Sequence, residues 1–300
     1  SPIVSLRQHF DLDICVRPCR SFPGNPLNFI RRSADGGFEE PPVDAVIFRQ
    51  NTEGLYGGVE WTNPPDVVYD GLATHAKFKR FMTCPREELA VSTRIFTRRC
   101  CDRICDAAFS HALKHGYKSV TICEKPNVIR ETSGMMEDSA ATLQKNTYTD
   151  IAHYSTNIDA QMMWMTKNPE DYDCIVAGNM FGDIISDGFA GLIGGLGFAC
   201  SANIGPKVAI FEPTHGSAPK YAELPSSIVN PIAMIMSACM MLDHIGEVGI
   251  AKRIRDAIAA VVLEGKVLTY DMKKIRGGAD VFDKGAVGTA EMADAIIAKL

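Results

Sequence analysis

Tyr172-Asp-Cys-Ile-Val-Ala177-Gly-Asn-Met-Phe-Gly-Asp183-Ile-Ile-Ser-Asp187 passes from a short apolar run, through Gly178-Asn179, into a stretch with helical spacing. A run of that length bounded by turn formers reads as a buried strand whose end delivers polar groups into the element that follows. With a helix starting near Gly182, Asp183 and Asp187 lie four residues apart on one face and present two carboxylates to the same point. Two hard oxygen donors on one side suit Mg²⁺ or Mn²⁺, with the remaining positions left for water and a chelating substrate. The same spacing is also met by an acid that favours the helix dipole followed by an unrelated surface acid. The run Gly191-Leu-Ile-Gly-Gly-Leu-Gly197 follows a helix and not a strand, so it reads as close packing and a turn, not as a dinucleotide-binding loop.

Two further runs match the first. Val43 to Arg49 is apolar and β-branched after Pro41-Pro42, and it delivers Arg49. Ser119 to Cys123 follows a helical stretch, Phe96 to His115, and ends at Glu124-Lys125-Pro126-Asn127. Strands alternating with helices point to an α/β architecture, in which reactive groups gather where strands end. Residues 64–85 have weaker periodicity and many turn formers and read as an excursion from the sheet. After Gly205 come a strand, Val208 to Phe211, a loop rich in Pro and Gly, and long helices at Asn230 to Ile245 and Ala251 to Glu264. Two lobes with a cleft between them are expected.

Three hundred residues at 46% apolar are ample for one large or two medium domains without staples. The formal net charge of −5 argues against nucleic acid or an anionic membrane as partner. An anionic substrate must therefore meet a local cationic cluster. The ten cysteines, among them Cys15, Cys19, Cys100, Cys101 and Cys105, form no paired C-x-x-C units, so reduced thiols in a cytosol-like compartment are expected. No apolar run approaches the roughly 20 residues of a membrane span, and the opening residues lack the plan of a signal peptide.

A cationic cluster is available in Arg7, Arg17 and Arg49, with Tyr56 seven residues past the last. Arginines bind carboxylates bidentately, and three of them converging would select a polycarboxylate. Taken singly, each is more often a solvated surface residue, and only their placement together favours a site. The loop Phe211-Glu-Pro-Thr-His-Gly-Ser-Ala-Pro-Lys-Tyr221 exposes backbone amides beside His215, Lys220 and Tyr221, and reads either as a phosphate-holding loop or as a plain surface loop.

Taken together, Leu6-Arg7, Val16-Arg17-Pro18, Phe48-Arg49-Gln50-Asn51-Thr52-Glu53 with Tyr56, Glu124-Lys125-Pro126-Asn127, Asn179 to Gly197, Glu212-Pro-Thr-His-Gly-Ser-Ala-Pro, Val229-Asn-Pro and Met240-Met-Leu-Asp-His resemble the metal-dependent β-decarboxylating dehydrogenases, the isocitrate and isopropylmalate type. The resemblance runs over essentially the whole chain and is strongest to NADP-dependent isocitrate dehydrogenase. It implies that family's α/β fold, which is not a Rossmann fold. Residues 1–12 and 195–300 would form a large cofactor domain, 13–53 and 98–194 a small domain, and 54–97 a clasp interlocking two subunits. It implies that Ser1, Arg7, Arg17 and Arg49 bind a tricarboxylate, and that Asp183 and Asp187, with Asp159 of the partner subunit, hold Mg²⁺ or Mn²⁺. Lys125, also supplied across a homodimer, would relay the hydroxyl proton, and Tyr56 would protonate the carbon left after CO₂ departs. His215, Gly216, Lys220, Tyr221, Asn230, Tyr270 and Lys274 would bind the cofactor.

NAD-using members are similar to one another in carrying an acid after Ala-Pro, so Lys220, Tyr221, Tyr270 and Lys274 imply NADP. Against an isocitrate substrate, the opening Ser1-Pro-Ile-Val resembles homoisocitrate enzymes, and Ile3 replaces an asparagine of the bacterial NADP-isocitrate pattern. A homoisocitrate or 3-isopropylmalate dehydrogenase using NAD is the alternative within the class, and a silent regulatory subunit the alternative outside it. Relatives begin earlier with a glycine-rich first strand, so the numbered chain is expected to lack the N-terminal part of its large domain. A cytoplasmic location is expected, or the mitochondrial matrix for a eukaryotic source.

Overall fold

Strands and helices alternate along most of the chain, and the computed structural model describes residues 2–300. In chain order these are α1 (Pro2–His9), β1 (Ile14–Arg20), β2 (Arg31–Arg32), β3 (Phe38–Glu39), β4 (Asp44–Gln50), β5 (Glu60–Thr62), α2 (Asp66–Ala73), β6 (Ala90–Ser92), α3 (Arg98–His115) and β7 (Ser119–Glu124). They continue with α4 (Arg130–Asn146), β8 (Ala152–Asn157), α5 (Ile158–Trp164), β9 (Cys174–Ala177), α6 (Asn179–Leu192), β10 (Cys200–Ile204), β11 (Ala209–Pro213), α7 (Ile232–His244), α8 (Val248–Glu264) and α9 (Thr289–Ile297).

One sheet of seven strands organises the molecule, in the order β11-β10-β1-β4-β9-β7-β8. Strands β4, β9, β7 and β8 are parallel, so their C-terminal ends lie along one edge; β1 runs against them, β10 runs with them and β11 runs against them. Both faces of the central strands are covered, which is why β4 and β9 read as unbroken apolar runs. On β4, Ala45 and Ile47 face a core with Ile175, Phe181, Ile185, Phe189 and α8, while Val46 and Phe48 face one with Ile104, Phe109, Val120, Ile122 and Met136. The 64–85 excursion carries helix α2 and is flanked by a separate two-stranded ladder, β5 with β6.

The helix after the quoted strand starts at Asn179, with Gly178 extended before it, and not near Gly182. Asp183 therefore lies beyond the first turn, where the helix dipole has little hold on a carboxylate, so a dipole role does not explain that acid. Gly194 and Gly195 take positive φ of 116° and 88° and turn the chain out of α6, with Gly194 against Asn25 and Phe198. All ten cysteines are free. Burial pushes the Cys100 thiol up to about 11 and that of Cys101 to about 12, which leaves both protonated and unreactive near neutrality. Among the described residues, no helix is long and apolar enough to cross a membrane.

Helix α3 is capped by the Thr97 side chain and stopped by Gly116 in the left-handed region at φ 79°. Its His111 packs edge-on to Phe48, with ring centroids 5.4 Å apart, and lies 4.2 Å from the His115 ring. Burial, with His115 and Lys114 nearby, lowers the His111 pKa to about 4. An unfolded imidazole titrates near 6.5, so the unfolded chain takes up this proton first as pH falls. Stability present above that value is lost between about pH 6.5 and 4. The ring is partly exposed, so the loss is on the order of 1–2 kcal/mol. The melting temperature of His111→Gln should decline less steeply over that range than that of the parent; parallel declines would remove His111 as the cause.

Candidate active site

Adjacent antiparallel strands deliver Arg17 and Arg49, with Cys15 opposite Arg49 in the register. Both guanidiniums sit in the interior, at 7% and 4% exposure, so neither is a solvated surface arginine. Arg49 forks onto Asn179, with Nε 3.1 Å and Nη2 2.8 Å from Oδ1, and its Nη1 donates to Asp183. Arg17 Nη1 donates to Ser186 Oγ at 2.6 Å and to Oδ1 of Asp183 and Asp187 at 3.2 and 3.3 Å. Arg7 reaches in from α1 and donates to Asn203 Oδ1 at 2.9 Å and Glu212 Oε1 at 3.2 Å. Burial pushes Arg49 below the usual arginine range, and the Arg17 and Arg7 guanidiniums push the same way. The expected cationic cluster is thus a physical one. Tyr56 lies beside it, its ring 5.8 Å from the Arg49 guanidinium carbon.

Asp183 and Asp187 do share a face of α6, where both meet Arg17. Burial raises the Asp187 pKa, and the Asp183 charge adds to the rise, so the pair carries a repulsion that a hard divalent cation would relieve. Gly182 is what lets this helix approach β4: a Cβ there would lie 2.7 Å from Cβ and Cγ of Arg49. Two carboxylates are too few to enclose a metal. Among the described residues, no three His, Cys, Asp or Glu side chains gather as a metal site. Asp159 stands apart, at the start of α5, where it accepts a hydrogen bond from Lys125 Nζ at 2.5 Å. The two come from the C-terminal ends of the neighbouring strands β8 and β7. For a divalent metal this chain offers Asp183 with Asp187 in one place and Asp159, paired with the Lys125 ammonium, in another, two half-sets that do not meet within one chain among the described residues.

In the loop after β11, Lys220 Nζ lies 4.8 Å from the Tyr221 ring centroid, and Tyr221 meets Tyr270 edge-on at 5.7 Å. Tyr270 and Lys220, with Arg276 adding, hold the Tyr221 phenol below its usual range, while burial pushes that of Tyr270 up. The cluster of two phenols and cations suits an anionic oxygen-rich group. His215 and Gly216 lead into it, with His215 Nδ1 3.0 Å from the Gly216 carbonyl. Asn230 is occupied otherwise: it donates to Asp271 Oδ2 at 3.1 Å and accepts from the Ile232 amide at the start of α7. Lys274 is exposed, in a left-handed turn at φ 57°, whereas Arg276, two residues on, acts on Tyr221. Ser1 lies outside the described residues.

Sequence reading missed the groups that hold these side chains. Asn179 donates to the carbonyls of Asn51 and Glu53 while it accepts from Arg49. Asn203, wholly buried, joins Arg7 to Asn51 and Glu212. The available signal was an amide side chain within the short strand Cys-Ser-Ala-Asn-Ile, because a polar group buried there must find partners.

The model of one protein family, isocitrate/isopropylmalate dehydrogenase, matches residues 1–296. Among curated proteins, 3-isopropylmalate dehydrogenase of Methanothermobacter thermautotrophicus is 38% identical over 97% of this chain and 74% of its own length. Protein DlpA of Legionella pneumophila is 36% identical over 99% of this chain, and isocitrate dehydrogenase [NADP] of Thermus thermophilus 35% over 99%. The chain spans only 43% and 51% of the lengths of those two. The solved structure of isocitrate dehydrogenase from Methylococcus capsulatus superposes with a TM-score of 0.80 at 37% identity, covering all of this chain and 76% of that one. Members of the family are β-decarboxylating dehydrogenases that use a divalent metal and a nicotinamide cofactor. A family match running from residue 1 to residue 296, over a fold shared at that TM-score, leaves one assignment: this chain belongs to the isocitrate/isopropylmalate dehydrogenase family.

Proposed function

We propose that the protein oxidatively decarboxylates isocitrate to 2-oxoglutarate and CO₂ with reduction of NADP, as a homodimer whose active sites are shared between subunits. The observation that carries this is the convergence of Arg17, Arg49 and Arg7 beside the carboxylate pair Asp183 and Asp187. Three guanidiniums match a substrate with three carboxylates. In each site Arg7, Arg17 and Arg49 clamp the substrate, with Ser1 on its distal carboxylate, and Asp183 and Asp187 hold Mg²⁺ or Mn²⁺ together with Asp159 of the partner subunit. When bound, the nicotinamide would accept a hydride and the cation would polarise the new carbonyl as a Lewis acid.

The remaining work is proton transfer. Lys125, supplied from the other subunit, takes the hydroxyl proton as the free amine, and Asp159 holds its Nζ in place by accepting a hydrogen bond. Tyr56 returns a proton to the carbon vacated by CO₂. Its position beside Arg49 supports that role. His215, Gly216, Lys220, Tyr221, Asn230, Tyr270 and Lys274 take the cofactor, with the phenols and cations on the 2′-phosphate. Residues 1–12 and 195–300 act as the cofactor domain, 13–53 and 98–194 as the smaller domain, and 54–97 as the clasp. Val67 at 80% exposure on the excursion, with Met163 and Trp164 at 44% and 42% on α5, supports a partner subunit covering these surfaces.

Ile3 favours a second substrate, homoisocitrate or 3-isopropylmalate, because an apolar side chain stands in α1 where an amide would meet a distal carboxylate. The deciding test is steady-state turnover of the full-length protein with Mg²⁺ or Mn²⁺, crossing the three acids against NADP⁺ and NAD⁺. Isocitrate with NADP⁺ should give the highest kcat/KM. Preference for either other acid would overturn the substrate, and preference for NAD⁺ the cofactor.

A further inference from the structure

One buried carboxylate links the two half-sets that this chain would contribute to the shared sites. Glu124, the last residue of β7, is wholly buried. Its Oε1 accepts the Gly178 amide at 2.7 Å, and its Oε2 accepts Ser133 Oγ at 2.8 Å and Arg94 Nη2 at 2.6 Å. Arg94 Nη1 also donates to Thr132 and Ser133, at 3.0 and 3.1 Å, and its guanidinium carbon lies 4.5 Å from the Phe96 ring centre and 5.1 Å from that of Phe181. Gly178 is what admits the carboxylate, since a Cβ there would lie 2.6 Å from Oε1.

Each of these contacts leads to a group of the site. Lys125 follows Glu124 directly, and its backbone amide donates to Ser133 Oγ at 3.3 Å. Gly178 precedes Asn179, which grips Arg49 and opens the helix carrying Asp183 and Asp187. Arg94 sits just past the β5–β6 excursion, next to the bridge between Ile95 and Gly54. Buried ion pairs are poor stabilisers compared with apolar residues of the same volume, so stability alone does not call for this one. A carboxylate does what no apolar group could: it takes donors from two different elements on its two oxygens and fixes their directions.

We propose that Glu124, held by Arg94, is a positioning residue that sets the register between the Lys125 strand end and helix α6. This rests on the function proposed above. Glu124→Gln keeps the shape but leaves one acceptor oxygen for the donors on both sides, so either the Gly178 amide or Ser133 Oγ loses its partner. It also leaves Arg94 without a counter-charge. Arg94→Gln/Glu124→Gln removes both charges together.

The experiment measures kcat, KM, melting temperature and amide hydrogen exchange for the full-length parent, Glu124→Gln and the double variant. Glu124→Gln should lower kcat about tenfold to a hundredfold, far more than it raises KM, because misplacement of reacting groups by about 1 Å costs on that scale. Exchange should quicken at residues 125–129 and 178–182. The double variant should recover much of the melting temperature while kcat stays low. Recovery of kcat in step with stability, or parental kcat in Glu124→Gln, would overturn the positioning role. Should the parent turn over none of the three acids, the proposed function fails, and exchange alone decides: unchanged exchange in both segments overturns the linkage.

Discussion

Lys125→Met should lower kcat about 10²- to 10⁴-fold, the usual contribution of a positioned acid or base, while metal and substrate binding persist. The side chain is built for that role by its setting. It leaves the end of a strand wholly buried along its length, its Nζ lies 2.5 Å from Asp159, and neither of the two joins the group around Asp183 within one chain. Methionine keeps the length and the apolar stem and removes only the ammonium, so folding should change little. The separation gives a second and sharper expectation. Lys125→Met and Asp183→Asn should each be inactive alone, yet a mixture refolded from equal parts should regain about a quarter of parental activity, because half of the two-fold dimers are mixed and each mixed dimer holds one intact site. Dimers that form and stay inactive would show that Lys125 serves its own chain, and the two half-sets would then need a different explanation.

The parts of this fold that could be read from sequence were those whose chemistry is local. The runs that became β4, β7 and β9 are apolar because both of their faces are covered, and each ends in polar residues because strand ends reach the cleft. Strand β1 was visible only through its resemblance: Ile-Cys-Val-Arg-Pro-Cys-Arg carries a proline and two arginines, and its place in the sheet comes from pairing with β4 and β10 far along the chain. Strand β8, Ala-His-Tyr-Ser-Thr-Asn, is polar because it is an edge. The same division holds for the site. Asp183 and Asp187 are four apart on one helix, so their shared face follows from helical geometry. Arg17 and Asp187 are 170 residues apart, and only the fold brings them to 3.3 Å. Glu124 looked like the residue before a base; its three partners come from three other segments of the chain.

Replacing Lys220 and Arg276 together by alanine should cost about 10²- to 10⁴-fold in kcat/KM for NADP⁺, from two hydrogen bonds to a charged group at about 1.5–3 kcal/mol each, and far less for NAD⁺. Both side chains are exposed, so their removal should leave the melting temperature close to that of the parent. What they do touch electrically is Tyr221, whose phenol they and Tyr270 hold below its usual range. Cations that stabilise a phenolate would also stabilise a 2′-phosphate, which carries more charge. NAD⁺ has only a hydroxyl there and gains little from them. Arg276 also offers the forked donor that lysine lacks at position 274, so Arg276→Ala should cost more than Lys274→Ala. Equal losses for both nucleotides would mean that the cluster orders the loop in general and does not read the phosphate, and the choice of NADP would lose its physical basis.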